Sequence, residues 1–351
     1  MRHLTKNKLY LLVIAILFTM TYSSCDETNN NSGQYSNGVF VINEGSFGSS
    51  NGELSFIHSD NSIYNNLYAS NNSSALLGDV FQSMHMVNGK AYLIVNNSNK
   101  AEVVNLNNLQ SEATITGLTL PRYMVSYNGL GYISEYISYS TPGKVKVVDL
   151  SSNLIVDSID VGNQPENMLV IGDKILVANS GDTTLHIINT IDHTTSTIGN
   201  VDMPKYITRT NDGNIWVLYT GKPGWLGVNT DGGLLVLNPT ATSIVKNINI
   251  GSTATQNPSQ LTTDGDHVFY EYLGNVYKID KTASLAPASP FISSPATSLY
   301  GMNYYAASDI LYIADANNFI TAGTVKRYNA TTGAYLDSYT TGIAPNGFVF
   351  N

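Results

Sequence analysis

The sequence predicts an all-β fold, namely a seven-bladed β-propeller that is closed by pairing of its N- and C-terminal strands. Three observations lead to this prediction. Short segments rich in Val, Ile, Tyr and Thr alternate apolar and polar residues with a period of two. A unit of about forty residues recurs along the chain, which is the length of a propeller blade. The two ends of the chain look like two parts of one further unit.

The composition excludes several classes of protein. Only 12% of the 351 residues are charged, against roughly a quarter in an average soluble domain, while 42% are hydrophobic. Helical bundles carry surfaces rich in Lys and Glu, so this composition disfavours them. The net charge of −9 gives no electrostatic basis for binding a phosphate backbone, and we expect no nucleic-acid partner.

Residues 1–24 have the features of a lipoprotein signal peptide. Three basic residues precede the apolar run Leu9–Met20, which is of signal-peptide length. The segment Tyr22–Cys25 resembles a bacterial lipobox, in which the chain is cut before Cys and the Cys is lipidated. A catalytic thiol is the weaker alternative for Cys25, the only cysteine. Removal of the leader would change the net charge from −9 to −12, because it takes three cations and no acid.

We expect residues 25–38 to form a lipidated flexible tether, because Asp26, Glu27 and the run Asn29–Asn31 are polar and lack a strand pattern. The leader resembles those of Bacteroidetes-type surface lipoproteins, in which an acidic cluster after the lipidated Cys directs export. This resemblance implies an outer-membrane location, with the protein facing the cell exterior and touching the membrane only through its lipid. Residues 39–351 are then a single β-propeller domain.

The repeating unit begins with Pro, crosses an Asn-Gly or Asp-Gly turn and enters a strong strand. A Val-x-Val-x-Asp type of strand and a last strand ending near Gly follow. One copy runs through Pro121–Met124, Asn128–Ile133, Val145–Leu150 and Ile159–Gly162. We expect four strands per blade, with both central turn residues at positive φ. The Pro anchors are Pro121, Pro165, Pro204, Pro258 and Pro345.

The chain ends supply the closure of the ring. Pro345–Phe350 starts a unit that has no continuation, and Val39–Asn43 is a second strand that has no first. Six copies lie between them, so joining the ends gives seven blades. Such closure removes the exposed strand edges of an open array.

Several motifs carry a family resemblance. The repeat is similar to that of YncE-like seven-bladed propellers. Asn43–Gly48, Gly52–Ser55, Leu77–Asp79 and Val95–Asn99 resemble surface lipoproteins of gut commensal bacteria, which include the BtuG-like cobalamin-binding lipoproteins. The resemblance implies capture of cobalamin as a bound ligand, not as a cofactor, and a TonB-dependent outer-membrane transporter as partner.

Two kinds of segment should reach the binding face of the propeller. One holds the residues just after each Pro anchor, among them Glu166 and Lys205, and the other joins the second and third strands of a blade. The segment Tyr219–Asp231 is the longest of the second kind and is a candidate lid. The predicted ligand-binding residues are Phe47, Asn97, Arg122, Tyr123, Tyr136, Tyr139, Asn167, Tyr206, Lys222, Trp225, Tyr272, Phe319 and Asn346.

The sequence gives little support for catalysis. No two His residues have a metal-binding spacing, and there is no nucleophile elbow or phosphate loop. We therefore expect no enzyme activity, no catalytic residues, no metal site and no cofactor. An enzyme would need His85 or His267 beside a carboxylate in the channel.

The expected function is capture of a scarce nutrient, with cobalamin or a related corrinoid as the best single choice. Aromatic and amide side chains suit a large, polar ligand without strong charge. The alternative is a surface propeller that binds a glycan or a protein partner, since glycan sites also use Trp, Tyr and Asn.

Overall fold

The computed structural model describes residues 33–251 and 257–351, which form seven antiparallel sheets. The innermost strands of successive sheets pack against one another in a closed cycle around a central channel. The predicted all-β, seven-bladed propeller is confirmed. Within the two described ranges, no helix is long and apolar enough to cross a membrane.

The blades are numbered along the ring, and their strands run from the channel outward. Blade 1 contains β27 (Pro345–Phe350), β1 (Gly38–Asn43), β2 (Glu53–His58) and β3 (Ile63–Tyr64). Blade 2 contains β4 (Phe81–Val87), β5 (Lys90–Val95), β6 (Lys100–Asn105) and β7 (Ser111–Ile115). Blade 3 contains β8 (Pro121–Tyr127), β9 (Leu130–Glu135), β10 (Pro142–Asp149) and β11 (Leu154–Asn163). Blade 4 contains β12 (Pro165–Ile171), β13 (Lys174–Asn179), β14 (Thr184–Asn189) and β15 (Thr195–Gly199).

The remaining blades complete the ring. Blade 5 contains β16 (Pro204–Arg209), β17 (Ile215–Tyr219), β18 (Gly232–Leu237) and β19 (Ile244–Gly251). Blade 6 contains β20 (Ser259–Thr263), β21 (His267–Tyr272) and β22 (Asn275–Asp280). Blade 7 contains β23 (Leu299–Tyr305), β24 (Ile310–Asp315), β25 (Ala322–Asn329) and β26 (Tyr335–Ile343). Helix α1 (Leu67–Asn71) links blades 1 and 2, and a 3₁₀ turn, Gly224–Leu226, lies between β17 and β18.

The predicted closure of the ring is also confirmed. Strand β27 pairs antiparallel with β1, so that Val39 lies opposite Phe350 and Val41 opposite Phe348. The six residues Pro345–Phe350 thereby supply the innermost strand of the first blade.

The hydrophobic core is divided into seven clusters, one at each interface between neighbouring blades. Strand β5 shows how the period of two produces this. Leu93 and Val95 pack against blade 1, whereas Tyr92 and Ile94 pack against blade 3. Every blade therefore buries both of its faces, which one blade alone could not do.

The turns agree with the sequence in part. The Asn88–Gly89 and Asn128–Gly129 turns have positive φ at both residues, as expected. In the Asp212–Gly213 and Asp264–Gly265 turns only the glycine is left-handed. The Asp side chain there accepts the N–H of the residue two positions on, for example Asn214 N–H at 3.1 Å, and this holds the Asp out of the left-handed region.

Blade 6 has three strands, so the expectation of four strands is wrong there. The segment after β22 carries Pro287, Pro290 and Pro295, which have no N–H to donate to a ladder. Among the residues that the structure describes, an isolated bridge between Val276 and Ile292 is the only strand-like pairing at the outer edge of this blade.

The predicted signal peptide, Cys25 and the first part of the predicted tether lie outside the described residues. The last part of that tether packs on the propeller. Tyr35 is buried against Phe56, with ring centroids 5.6 Å apart, and its hydroxyl accepts the Asn71 amide at 3.0 Å. The packed chain thus starts several residues before position 39, because an aromatic side chain in the polar stretch finds a place in the core.

Candidate functional site

The strand register brings the two predicted kinds of segment to one face of the propeller. Pro121, at the start of β8, pairs with Glu135 at the end of β9, and the loop to the third strand begins there. A backbone hydrogen bond ties the two segments together, from the Tyr136 N–H to the Leu120 carbonyl at 3.2 Å. Blades 4 and 5 repeat this arrangement. We call this side of the molecule the loop face.

A belt of polar side chains surrounds the channel where it opens on the loop face. Each blade contributes at the start of its innermost strand, and blade 1 also contributes from the loop after β1. We call this set the channel ring; it consists of Glu44, Gln82, Arg122, Glu166, Lys205, Gln260, Tyr300 and Asn346.

A buried ion pair is the centre of one half of the channel ring. Arg122 holds Glu166 through two bonds, Nε to Oε2 at 2.9 Å and Nη2 to Oε1 at 3.0 Å. The Tyr136 hydroxyl donates to Glu166 Oε1 at 2.5 Å, and Gln82 accepts from Arg122 Nη1. Such two-pronged pairing fixes both side chains in one geometry.

Neutral groups hold the other half together. The Gln260 amide donates to the Tyr300 carbonyl at 3.0 Å. The Asn346 amide donates to the Gln82 carbonyl at 3.2 Å and to Glu44 Oε2 at 3.4 Å. Most of the polar groups in this half of the ring are therefore bonded to one another.

The pKa values of the two carboxyl groups in the channel ring are shifted in opposite directions. Burial would raise the pKa of Glu166, but the charges of Arg122 and Lys205, with hydrogen bonds from Arg122 and Tyr136, bring that pKa below its usual range. Burial raises the pKa of Glu44, and a hydrogen bond with Tyr300 opposes this only in part. Glu166 is thus a fixed anion, whereas Glu44 titrates above the range of an ordinary glutamate.

A pocket of about 950 Å³ opens beside the channel ring over blades 3 to 5. A recess of about 320 Å³ adjoins it and reaches down to the ion pair. The pocket is lined by Tyr139, Asn163, Gln164, Gly181, Asp182, Thr183, Met203, Lys222, Trp225 and Leu226. The recess is lined by Arg122, Tyr136, Tyr139, Gln164, Glu166, Ser180, Met203, Lys205 and Thr220.

The loop between β17 and β18 carries the most prominent side chain of the pocket. Its base is closed by the Lys222 N–H, which donates to Thr230 Oγ1 at 2.8 Å. Gly221 has φ of 72°, and a Cβ there would approach the Thr230 carbonyl oxygen to 2.3 Å, so only glycine fits. The tip of the loop extends from this base, and Trp225 at the tip is 79% exposed.

The structure divides the predicted ligand-binding residues into groups. Arg122, Tyr136, Tyr139, Lys222 and Trp225 line the pocket or its recess.

Three further predicted residues belong to the channel. Tyr123 and Tyr206 accept amide hydrogen bonds from Gln82 and Gln260, each at 3.4 Å, and Asn346 is part of the channel ring.

The other predicted residues lie away from the pocket. Phe47 is exposed on blade 1, Asn97 donates to Asp79, and Phe319 packs edge-on against Tyr300.

The side chains of Asn167 and Tyr272 contact other residues of the propeller and do not line the pocket. The Asn167 side chain accepts the Ile207 N–H at 3.1 Å, across the interface of blades 4 and 5. Tyr272 lies beside Tyr277.

Gln164 and Met203 line both the pocket and the recess, and sequence reasoning missed them. They directly precede the anchors Pro165 and Pro204 and have left-handed φ values of 52° and 59°. This conformation turns the chain from one blade into the next at the rim of the channel. The position before each Pro anchor was the available signal, whereas the prediction used the positions after it.

The two histidines considered for catalysis, His85 and His267, each bond to a neighbouring side chain. His85 lies 2.9 Å from the Ser126 hydroxyl, and His267 lies 2.9 Å from Asp264 in its own turn. In the described part of the chain, no group of three or more His, Cys, Asp or Glu residues could hold a metal ion.

Comparison with known families now places the chain. Residues 37–351 match the family model described as a domain of unknown function, DUF5074. The chain belongs to this family. No curated protein matches it.

Solved structures share its fold. One is a quinonprotein alcohol dehydrogenase-like protein from Bacteroides thetaiotaomicron, with 14% identity, a TM-score of 0.66, and coverage of 90% of this chain and 78% of that one. Another is a putative 6-phosphogluconolactonase from Bacteroides fragilis, with 10% identity, a TM-score of 0.66, and coverage of 91% and 99%. A third is the periplasmic gluconolactonase of Pseudomonas aeruginosa, with 12% identity, a TM-score of 0.63, and coverage of 89% and 98%. At these identities the likeness shows the propeller fold alone, a fold consistent with a surface or extracellular binding protein.

Proposed function

We propose that this protein is a lipid-anchored binding propeller on the outer surface of the outer membrane. It captures a large, mostly neutral organic ligand, with cobalamin or a related corrinoid as the best single candidate. It then passes the ligand to a TonB-dependent outer-membrane transporter. The lipobox-like segment ending at Cys25 and the acidic stretch after it support the location, and the motifs resembling BtuG-like lipoproteins support the ligand and partner.

The pocket on the loop face is the observation that carries the proposal. Its volume of about 950 Å³ lies near the upper end of the roughly 300–1,000 Å³ typical of small-molecule sites. Trp225 and Tyr139 are 79% and 73% exposed there and offer rigid aromatic area to a ligand. Amides and hydroxyls such as Asn163, Gln164 and Thr183 provide the polar contacts.

We propose binding, not catalysis, as the role of this site. The carboxylate of Glu166 is held by Arg122 and Tyr136, and because these contacts and the charge of Lys205 lower its pKa, it is a poor acceptor for a substrate proton. His85 and His267 bond to Ser126 and Asp264, neither of which belongs to the channel ring.

Calorimetric titration of the full chain with cyanocobalamin tests the proposal. We expect micromolar or tighter binding, and a loss of about tenfold or more in Trp225→Ala, because a central aromatic anchor contributes about 2 kcal/mol. Phe47→Ala is the matched control, since Phe47 is 81% exposed on the same face but lies outside the pocket. Absence of binding at high micromolar ligand overturns the corrinoid proposal. An effect of Phe47→Ala without one of Trp225→Ala overturns the choice of pocket.

A glycan is the second candidate ligand, because the exposed Trp225 and Tyr139 rings could also stack on sugar rings. The same protein titrated with soluble oligosaccharides separates the two. Binding of a glycan that Trp225→Ala abolishes, together with no response to cyanocobalamin, would assign the pocket to sugars. Binding of a protein partner instead would leave both titrations flat.

A further inference from the structure

Lys205 has an unusual environment in the recess of the pocket. It follows Pro204 on β16, and its side chain is 32% exposed. Its closest acid is Glu166, with Nζ 3.9 Å from Oε1, which is too long for a hydrogen bond. In the described part of the chain, no other acid lies within ion-pair distance of this ammonium group.

Glu166 does not accept a hydrogen bond from Lys205, because the nearer carboxylate oxygen, Oε1, already accepts two. Arg122 holds both of its oxygens, at 2.9 and 3.0 Å, and the Tyr136 hydroxyl donates to Oε1 at 2.5 Å. The recess is thus lined by two cations, Arg122 and Lys205, and one carboxylate. Arg122 is committed to that carboxylate, whereas the Lys205 ammonium lies over the Tyr206 ring, 5.5 Å from its centroid, and 3.9 Å from Glu166 Oε1, beyond hydrogen-bond distance.

The other acids near the pocket are also engaged. Asp202 pairs with Lys222 at 3.5 Å. Asp182 accepts the backbone N–H of Thr183 and that of Asn163. Glu44 lies elsewhere in the channel ring and is bound by Asn346. The lining of the recess therefore has one positive charge in excess of its single carboxylate, in a partly enclosed position that a ligand can reach.

We propose that the recess is an oxyanion subsite, in which Lys205 donates to a phosphate or carboxylate oxygen of the ligand. The ligand body then lies on Trp225 and Tyr139, and its anionic group reaches down toward the channel ring. This deepens the proposed function and rests on it for the choice of pocket. A charge-assisted hydrogen bond in such a recess favours an anionic ligand over a neutral analogue by about 10- to 100-fold.

The first test does not depend on the ligand. Lysines of the full chain are acetylated with an amine-reactive reagent, and each site is followed by mass spectrometry in chloride, phosphate or acetate at equal ionic strength. We expect 50–100 mM phosphate or acetate, on the order of a weak single-contact affinity, to slow acetylation of Lys205 severalfold relative to chloride. Lys174 is the control, because no acid of the described residues lies within ion-pair distance of it and it lies outside the recess. Equal protection of the two lysines, or none, overturns the subsite. The two anions show whether phosphate or carboxylate is preferred.

The second test uses the corrinoid. Cyanocobalamin carries a phosphodiester, whereas dicyanocobinamide does not. We expect Lys205→Met to weaken cyanocobalamin binding at least tenfold without changing dicyanocobinamide binding, and Lys205→Arg to restore much of the loss. Equal affinity of Lys205→Met and wild type for cyanocobalamin overturns the subsite and leaves the corrinoid function standing. Absence of cyanocobalamin binding to the wild type overturns the corrinoid function, and the acetylation test then decides the subsite alone.

Discussion

The ion pair in the channel ring gives a prediction about stability. Arg122→Met removes the cation that holds Glu166, whose side chain is 2% exposed. Breaking a buried pair from one side costs about 3–5 kcal/mol, because the other charge stays buried. Lys205, 3.9 Å away, compensates in part, so we expect the low end of this range, about 3 kcal/mol.

Urea unfolding followed by tryptophan fluorescence measures this loss. Trp216 is fully buried between blades 5 and 6 and reports on the core, whereas Trp225 is exposed before and after unfolding. The control is Arg209→Met, because Arg209 is exposed and no acid of the described ranges lies within ion-pair distance of it. We expect that control to change stability by no more than about 0.5 kcal/mol.

A double variant decides whether the buried charge is the cause. Replacing a buried pair by apolar side chains is often close to neutral, so Arg122→Met with Glu166→Leu should recover most of the lost stability. If Arg122→Met costs less than about 1 kcal/mol, or the double variant is as unstable as the single one, the buried charge of Glu166 does not determine the cost of losing Arg122.

Two further predictions concern other carboxylates. Burial raises the folded-state pKa of Glu44, so its contribution to stability is present at low pH and is lost as pH rises through that pKa. The free energy of unfolding of Glu44→Gln should therefore fall less, between pH 4 and pH 7, than that of the wild type. Unfolding midpoints of both proteins at both pH values measure this difference. An equal change in the two proteins would contradict the prediction. Glu53 accepts the N–H of Tyr68 at 2.7 Å and of Ala69 at 3.1 Å in α1. Glu53→Ala should lower the free energy of unfolding by about 1 kcal/mol and speed amide hydrogen exchange in residues 67–71. Exchange in blade 5 is the control and should not change. Unchanged exchange in α1 would show that Glu53 does not stabilise this helix.

The architecture could be predicted from the sequence because each blade repeats the same sequence pattern. Strand alternation, the Pro anchors and the divided terminal unit are all local features, and each recurs or is complemented elsewhere in the chain. The loop face followed from them, since an antiparallel register places the start of an innermost strand beside the end of the second. For the same reason Tyr139, Lys222 and Trp225 could be chosen before their neighbours in space were known.

The parts that could not be predicted depend on relations between blades. Arg122 and Glu166 are 44 positions apart, and nothing in either segment indicates that they pair. The left-handed backbone of Gln164 and Met203 follows from the geometry of passing between blades, not from the residue type. The missing strand of blade 6 was indicated by Pro287, Pro290 and Pro295, but the repeat pattern outweighed that local evidence.

The closure of blade 1 can form only late in folding. Strand β1 is among the first parts of the domain to be synthesised, and its inner partner β27 is the last, so the pairing of Val41 with Phe348 joins residues about 300 positions apart. Contacts of such long range form slowly, since the chain must lose much loop entropy before they stabilise it. Until β27 is present, β1 exposes an unpaired edge, and β23 of blade 7 lacks the strand that it packs against. A chain that stops short of Pro345 would keep the edge of β1 open, so loss of the C-terminal strand should lead to aggregation instead of a smaller propeller.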